Sequence, residues 1–149
     1  MEKKRVGFTL IELMIVMAIM AVLVGMILPR FKGMRDQASI SRAQGELRSI
    51  KTALESYFIT NGAYPTTSET VCGTYLAIAA ANPRILTSAL YDPFGATATT
   101  EYNYTKSANG LYYVVASVGP DGSQNLTGIS ATGAVTGTVG DDIYQTNAQ

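Results

Sequence analysis

The sequence has 149 residues, with 11 basic and 11 acidic side chains, one cysteine and no histidine. The missing imidazole removes the commonest general base, and the lone Cys72 excludes an internal disulfide. Composition therefore argues against an enzyme and against a disulfide-stapled domain. The balanced charge gives no indication of nucleic-acid binding, and the length leaves room for one modest hydrophobic core.

An apolar run occupies residues 8–28, and Glu12 is its only ionisable residue. As an α-helix this run would reach about 31 Å, the thickness of a bilayer's hydrocarbon core. Residues 3–5 are all basic, so the positive-inside rule places the N-terminus in the cytoplasm and the rest of the chain outside it. A secretory signal peptide is the rival interpretation, but its apolar part is usually about 7 to 15 residues long. The pattern predicts one membrane-spanning helix.

The stretch from residue 3 to residue 29, KKRVGFTLIELMIVMAIMAVLVGMILP, resembles the class III signal of type IV pilins and pseudopilins. The resemblance implies that residues 1–7 are a leader, which prepilin peptidase removes between Gly7 and Phe8 before the new amine of Phe8 is methylated. It also makes Glu12 the fifth residue of the mature chain and matches Pro29 to the family's helix-breaking proline.

Glu12 needs an explanation, because an acidic side chain in an apolar membrane segment is costly and usually has a partner. The resemblance implies that Glu12 pairs with the positive α-amine of Phe8 on a neighbouring subunit when copies of the chain form a filament. A second interpretation keeps Glu12 within its own helix, where the dipole of the first turns favours an anion. The two roles are compatible.

The helical pattern continues past Pro29 to about Thr60. Its apolar positions predict one face that packs on a sheet: Ala43, Leu47, Ile50, Leu54, Tyr57 and Phe58. Its charged positions predict an opposite, solvated face: Arg42, Glu46, Arg48, Lys51 and Glu55. Because proline lacks a backbone donor, Pro29 predicts a kink or local melting between the apolar and amphipathic parts of the helix.

The head begins where Asn61-Gly62 ends the helix. Residues 71–92 are predicted to form a helical or irregular layer over the amphipathic helix 30–60, which we call the stem helix. Cys72 is predicted to be a small buried side chain in this layer. Two strands follow, at 101–106 and 111–117, with a turn at 108–110 between them.

These elements predict an α+β fold, in which a long N-terminal α-helix, the transmembrane segment and filament core, packs on a small antiparallel β-sheet head with a structured C-terminal loop. The corresponding divisions are the leader 1–7, the core helix 8–29, the amphipathic helix 30–60 and the head 61–149.

Three motifs in the head resemble, in their order, those of the major pseudopilin of type II secretion: Asp92-Pro93-Phe94-Gly95, Gly119-Pro120-Asp121-Gly122 and Asp141-Asp142-Ile143. The resemblance implies a calcium site formed by Asp121, Asp141 and Asp142 with backbone carbonyls near Val118. Calcium takes six to eight hard oxygens, which such a set supplies.

If the resemblance to the family is set aside, Gly-Pro-Asp-Gly predicts an ordinary turn, and Asp141 and Asp142 are expected to be solvated. The 19 residues between Asp121 and Asp141 exceed what the family pattern leads us to expect. They predict either a flexible flap or an extra hairpin around 131–133.

The resemblance implies a structural subunit that polymerises into the periplasmic pseudopilus and drives protein export by type II secretion. The implied partners are further copies of the chain in a helical filament, minor pseudopilins, prepilin peptidase and the inner-membrane assembly platform. The implied location is the inner membrane, crossed once, with the head in the periplasm.

Two alternatives stay open. The first is a major or minor pilin of a type IV pilus, for adhesion or motility, although most pilins close the head with a disulfide that a single cysteine excludes. The second is a monomeric, membrane-tethered binding protein with a ligand loop at 121–142, which would tolerate the loss of Glu12.

Overall fold

The structure is a computed structural model that describes residues 7–66 and 86–148, without the side chains of residues 27–32. Within that part of the chain lie one helix and five strands: α1 (Leu10–Asn61), β1 (Asn103–Lys106), β2 (Tyr113–Ser117), β3 (Leu126–Ile129), β4 (Val135–Gly137) and β5 (Ile143–Thr146). The chain divides into two compact units, Met1–Gln37 and Ala38–Gln149. The predicted α+β class is confirmed.

Helix α1 runs without interruption through Pro29. Of the kink or local melting predicted at this proline, melting is wrong, since the backbone on both sides keeps its helical conformation, and the kink stays a prediction. A proline removes one backbone hydrogen bond, and the remaining bonds of a helix of 52 residues hold the turn together. The end of α1 at Asn61 agrees with the predicted end near Thr60.

The main core of the head lies between α1 and one face of the sheet. Residues Ala43, Leu47, Ile50 and Leu54 of the predicted apolar face are all buried there, against tyrosines and valine of the sheet. The last two predicted positions differ: Tyr57 is half-buried, and Phe58 keeps 36% of its surface exposed and stacks on Tyr64 with ring centroids 4.6 Å apart. The helical periodicity thus predicted the packing face, apart from its last turn.

The sheet has the order β1-β2-β5, and both pairs are antiparallel. The central strand β2 is buried along its whole length, with Tyr113 and Val115 in the core against α1 and Val114 in a second core on the opposite face. The predicted strands at 101–106 and 111–117 are confirmed as β1 and β2. Strand β5 was not predicted, because Ile143–Thr146 lacks a clear apolar alternation and takes its strand form from pairing with β2.

The stretch between Asp121 and Asp141 contains the extra hairpin, β3–β4, rather than a flap. Its turn closes where Ser130 donates its N–H to the Ala134 carbonyl at 2.8 Å. Leu126 and Ile129 of β3 are buried with Val114 and form the second core on the outer face of the sheet. The hairpin therefore gives β2 a second packed face.

The predicted layer at 71–92 lies largely outside the described residues, and Cys72 is among those not described. In its described part, Leu86 is buried in the main core and Leu90 packs against it. For these two residues the predicted cover of the stem helix is confirmed.

Candidate functional site

Glu12 closes the first turn of α1 through hydrogen bonds with Thr9. Its Oε2 accepts the Thr9 backbone N–H at 2.9 Å and the Thr9 hydroxyl at 2.8 Å, while the Thr9 Oγ1 accepts the Glu12 N–H at 3.3 Å. This reciprocal pattern is a capping box, which the Thr-x-x-Glu spacing signals in the sequence. Glu12 therefore serves its own helix, with Thr9 as the partner that the helix-dipole interpretation overlooked. Its pairing with a neighbouring Phe8 stays a prediction.

The described apolar side chains around this cap are solvent-exposed. Phe8 exposes 89% of its surface, and the large apolar side chains of residues 10–26 each expose at least half. Gly7, on the other side of the predicted cleavage point, is exposed as well. Among the described residues, no helix meets the length and hydropathy expected of a bilayer-crossing segment.

In the head, two glutamates predicted to be solvated bind buried tyrosines instead. Glu55 accepts the hydroxyls of Tyr64 and Tyr113, each at 3.0 Å, and Glu46 accepts the hydroxyl of Tyr102 at 2.7 Å. Burial, reinforced by Glu55, raises the pKa of Tyr64 to about 12, and burial likewise raises the pKa of Tyr113. The solvated-face prediction is wrong for these glutamates, because Tyr102 and Tyr113 reach them from far along the chain and Tyr64 reaches Glu55 from the segment that follows α1.

Asp92 is a buried carboxylate that joins its Asp-Pro-Phe-Gly turn to the end of β2. Its Oδ1 accepts the Phe94 N–H at 2.9 Å and the Ser117 hydroxyl at 2.7 Å, and its Oδ2 accepts the Val118 N–H at 2.9 Å. The first bond is an Asx turn, a local arrangement typical of aspartate before proline. Asp92 was not predicted as a site residue, yet it determines where the chain leaves β2.

We call residues 118–125 together with residues 138–142 the acidic loop. Its two halves meet where the Asp121 N–H donates to Asp141 Oδ2 at 2.8 Å. A Cβ added to Gly119 would lie 2.3 Å from the Asp141 carbonyl oxygen, and Gly119 has a φ of +70°, so only glycine permits this approach. The structure thus brings Asp121, Asp141 and the stretch beside Val118 together.

Asp142 lies at the base of the hairpin and is 7% exposed, so the solvated interpretation is wrong for this residue. Its Oδ2 accepts the N–H groups of Asn125 at 2.9 Å and Leu126 at 2.7 Å. Its Oδ1 is buried and has no hydrogen-bond partner among the described residues. A buried carboxylate oxygen without a donor is unfavourable unless a cation or water binds it.

The unpartnered Oδ1 of Asp142 is the oxygen of the acidic loop that a calcium ion could use. The sequence from 107 to 149 contains no lysine or arginine that would neutralise its three aspartates. Within the described ranges, however, no three acidic side chains lie close enough to hold a metal by themselves. Backbone carbonyl, amide or water oxygens would have to complete the shell, as calcium accepts.

Two family profiles match the sequence. Residues 30–133 match the family described as type II secretion system (T2SS), protein G, and residues 3–28 match the prokaryotic N-terminal methylation motif, which indicates processing by prepilin peptidase. No solved structure matches the chain.

Several curated relatives carry the name type II secretion system core protein G. One from Pseudomonas aeruginosa is 37% identical over 68 residues, covering 46% of this chain and 48% of the relative, and one from Escherichia coli is 35% identical over 68 residues, covering 46% of each. The chain thus spans about half the length of these relatives. One from Vibrio cholerae is 28% identical over 135 residues, covering 87% of this chain and 90% of the relative. With more than half of its residues in the family profile, the chain belongs to the type II secretion system protein G family, the major pseudopilins, which are structural subunits and not enzymes.

Proposed function

We propose that this chain polymerises into a periplasmic pseudopilus that drives protein export by type II secretion. The observation that carries the proposal is the apolar surface of residues 10–26, where every large apolar side chain exposes at least half of its area. An apolar surface of this extent requires a cover, which lipid provides before assembly and the same helix of other copies provides in a filament.

Glu12 is proposed to set the register between copies. The backbone N–H and the hydroxyl of Thr9 both donate to Glu12 Oε2, so the cap occupies one side of the carboxylate. The α-amine of a neighbouring Phe8, created by cleavage after Gly7, would bind the other side. Each charge is costly alone in an apolar setting, and pairing removes part of that cost.

The proposed location is the inner membrane, crossed once by residues 8–29, with the head in the periplasm. The basic residues 3–5 support this orientation. The proposed partners are other copies of the chain, minor pseudopilins, prepilin peptidase and an inner-membrane assembly platform. The relatives named as type II secretion core proteins support that setting.

The acidic loop is proposed to bind calcium through Asp121, Asp141 and Asp142 with carbonyls near Val118. Support comes from the buried Oδ1 of Asp142 without a donor. A divalent cation at this oxygen would supply the partner that the Asp142 carboxylate lacks on that side.

Deletion of the gene tests the proposed function directly. The secreted proteins of the deletion strain are compared with those of its parent, and surface filaments are counted by electron microscopy. We expect exported proteins to accumulate in the periplasm while surface pili remain, and a plasmid copy to restore export. Loss of pili with normal secretion would instead identify a type IV pilin.

A further inference from the structure

The stretch between Asp121 and Asp141 contributes a residue to the acidic loop. Asn125, which precedes β3, donates its backbone N–H to Asp142 Oδ2 at 2.9 Å. Its side-chain Nδ2 donates to the Ser123 carbonyl at 3.2 Å and reaches Asp121 Oδ2 at 3.5 Å. Its own carbonyl accepts the Thr138 N–H at 3.2 Å, where the chain leaves the hairpin. Asn125 therefore contacts both halves of the acidic loop.

The hairpin and the Asp142 carboxylate depend on each other. The two amides that Asp142 Oδ2 accepts belong to Asn125 and Leu126, the residues at which the hairpin begins. Leu126 is buried in the second core with Ile129. If the hairpin lifted from the sheet, Asp142 would lose both donors and its position.

Close packing at the base leaves little freedom around Asn125. A Cβ added to Gly140 would lie 2.9 Å from Asn125 Nδ2, and Gly140 has a φ of +55°. The side-chain amide is thus held between the turn at Asp121 and the return strand. Such a confined amide can keep the carboxylates at a fixed separation.

We propose that Asn125 is a positioning residue of the calcium site, and that the bound metal and the hairpin β3–β4 stabilise each other. This inference rests on the calcium binding proposed above. A metal held at Asp142 Oδ1 needs the carboxylate fixed at Oδ2 by the hairpin amides. By thermodynamic linkage, the metal then favours the closed hairpin, which covers Val114 on the outer face of the sheet.

Hydrogen exchange measured by mass spectrometry on the full chain in detergent micelles tests the coupling, with calcium chloride or a chelator added. At free calcium 100-fold above its Kd, an opening that releases the metal becomes about 100-fold rarer. We expect the amides of β3 to exchange slower by about that factor. Amides of β1 and β2 report on global unfolding, so a local opening of the hairpin is recognised where the amides of β3 exchange faster than those of β1 and β2 in the presence of the chelator.

Two substitutions of asparagine separate the role of Asn125 from general stability. Asn125→Ala removes the side-chain contacts to Ser123 and Asp121, and we expect calcium affinity, measured by titration calorimetry, to fall at least fivefold. Asn61→Ala is the matched control, because Asn61 lies at the end of α1, outside the acidic loop, and its side chain donates to the Tyr57 carbonyl at 3.0 Å. It should bind calcium as the wild type does.

Each result has a distinct meaning. Wild-type calcium binding with unchanged exchange in β3 would overturn the coupling and leave the calcium proposal intact. Equal affinity in Asn125→Ala and wild type would remove Asn125 from the site. Absence of any calcium binding would overturn both proposals, whereas the role in secretion is decided separately by the gene deletion. If Asn125→Ala does not fold, the wild-type exchange experiment decides alone.

Discussion

Tyr113 on the central strand donates its hydroxyl to Glu55 of α1 at 3.0 Å, across 58 residues of sequence. Glu55 uses its other oxygen for Tyr64, so one carboxylate joins the stem helix to the sheet and to the segment that follows the helix. The head is therefore held together by buried polar contacts as well as by apolar packing, and these contacts predict measurable effects.

Tyr113→Phe should destabilise the head by about 1 to 2 kcal/mol, because it removes one hydrogen bond to a charged group and keeps the ring. The midpoint of denaturant unfolding of the full chain in detergent measures the loss. Tyr57→Phe is the control, because Tyr57 is half-buried and lies on α1, the helix of Glu55. It should change the free energy of unfolding by less than about 0.5 kcal/mol. Equal effects of the two substitutions would contradict the role of Glu55.

Alkaline pH should destabilise the head, and Tyr64 contributes to this loss together with the other buried tyrosines, Tyr102 and Tyr113, whose pKa values are also raised. The pKa of Tyr64 is raised from 10.0 to about 12, so the folded state holds the proton more tightly than the unfolded state does. The resulting stability is complete below pH 10.0 and is lost as the pH rises towards about 12. Tyr64→Phe should make this decline shallower, as measured by unfolding midpoints between pH 8 and 12. An identical pH dependence in the variant would show that other groups control it.

Substitutions at Glu12 separate the helix cap from the intersubunit ion pair. Glu12→Gln keeps a side chain that a capping box accepts but removes the charge, whereas Thr9→Ala breaks the cap and keeps the charge. We expect both variants to be cleaved after Gly7. Glu12→Gln should fail to enter filaments, and Thr9→Ala should enter them with reduced efficiency.

Co-expression with the wild type, followed by immunoblotting of sheared filaments, measures incorporation of the Glu12 variants. Normal incorporation of Glu12→Gln would remove the ion pair and leave the cap as the reason for the glutamate. Glu12→Ala loses both the cap and the charge, so it sets the lower limit of incorporation into filaments.

Asp92→Ala should cost about 3 kcal/mol or more, since it leaves buried donors of Ser117 and Val118 without their acceptor. Thermal unfolding monitored by circular dichroism is the measurement. Asp36→Ala, at a half-exposed position of the helix, provides the comparison and should stay within about 0.5 kcal/mol of the wild type. A small effect at Asp92 would mean that water replaces the carboxylate.

If the acidic loop binds calcium as proposed, a chelator should lower the melting temperature of the full chain in detergent, because the buried Oδ1 of Asp142 would lose its partner. Asp121→Ala and Asp142→Asn should each abolish the response to a chelator, and Asp36→Ala should preserve it. A melting curve of the wild type that does not change on chelation would eliminate the metal.

Much of the head was predictable where the signal is periodic. The apolar spacing from Ala43 to Leu54 correctly predicted the packed face of α1, and the alternation around the turn at 108–110 predicted β1 and β2. The contact of Glu55 with Tyr113 and the strand β5 were not predictable, because both depend on residues far away in the sequence. Pairing with β2 gives Ile143–Thr146 its strand conformation, and local propensity does not.

The features of the N-terminal part of this protein are recognisable from the sequence alone. The basic start, the apolar run, the Gly7-Phe8 junction and Glu12 are local features, which are read along the chain without a partner. The acidic loop was decided by the tertiary structure, since Asp142 is buried only when the hairpin closes and Asp121 meets Asp141 across 20 residues. Burial and long-range contact change the energy of a charge, and neither is visible in the order of residues.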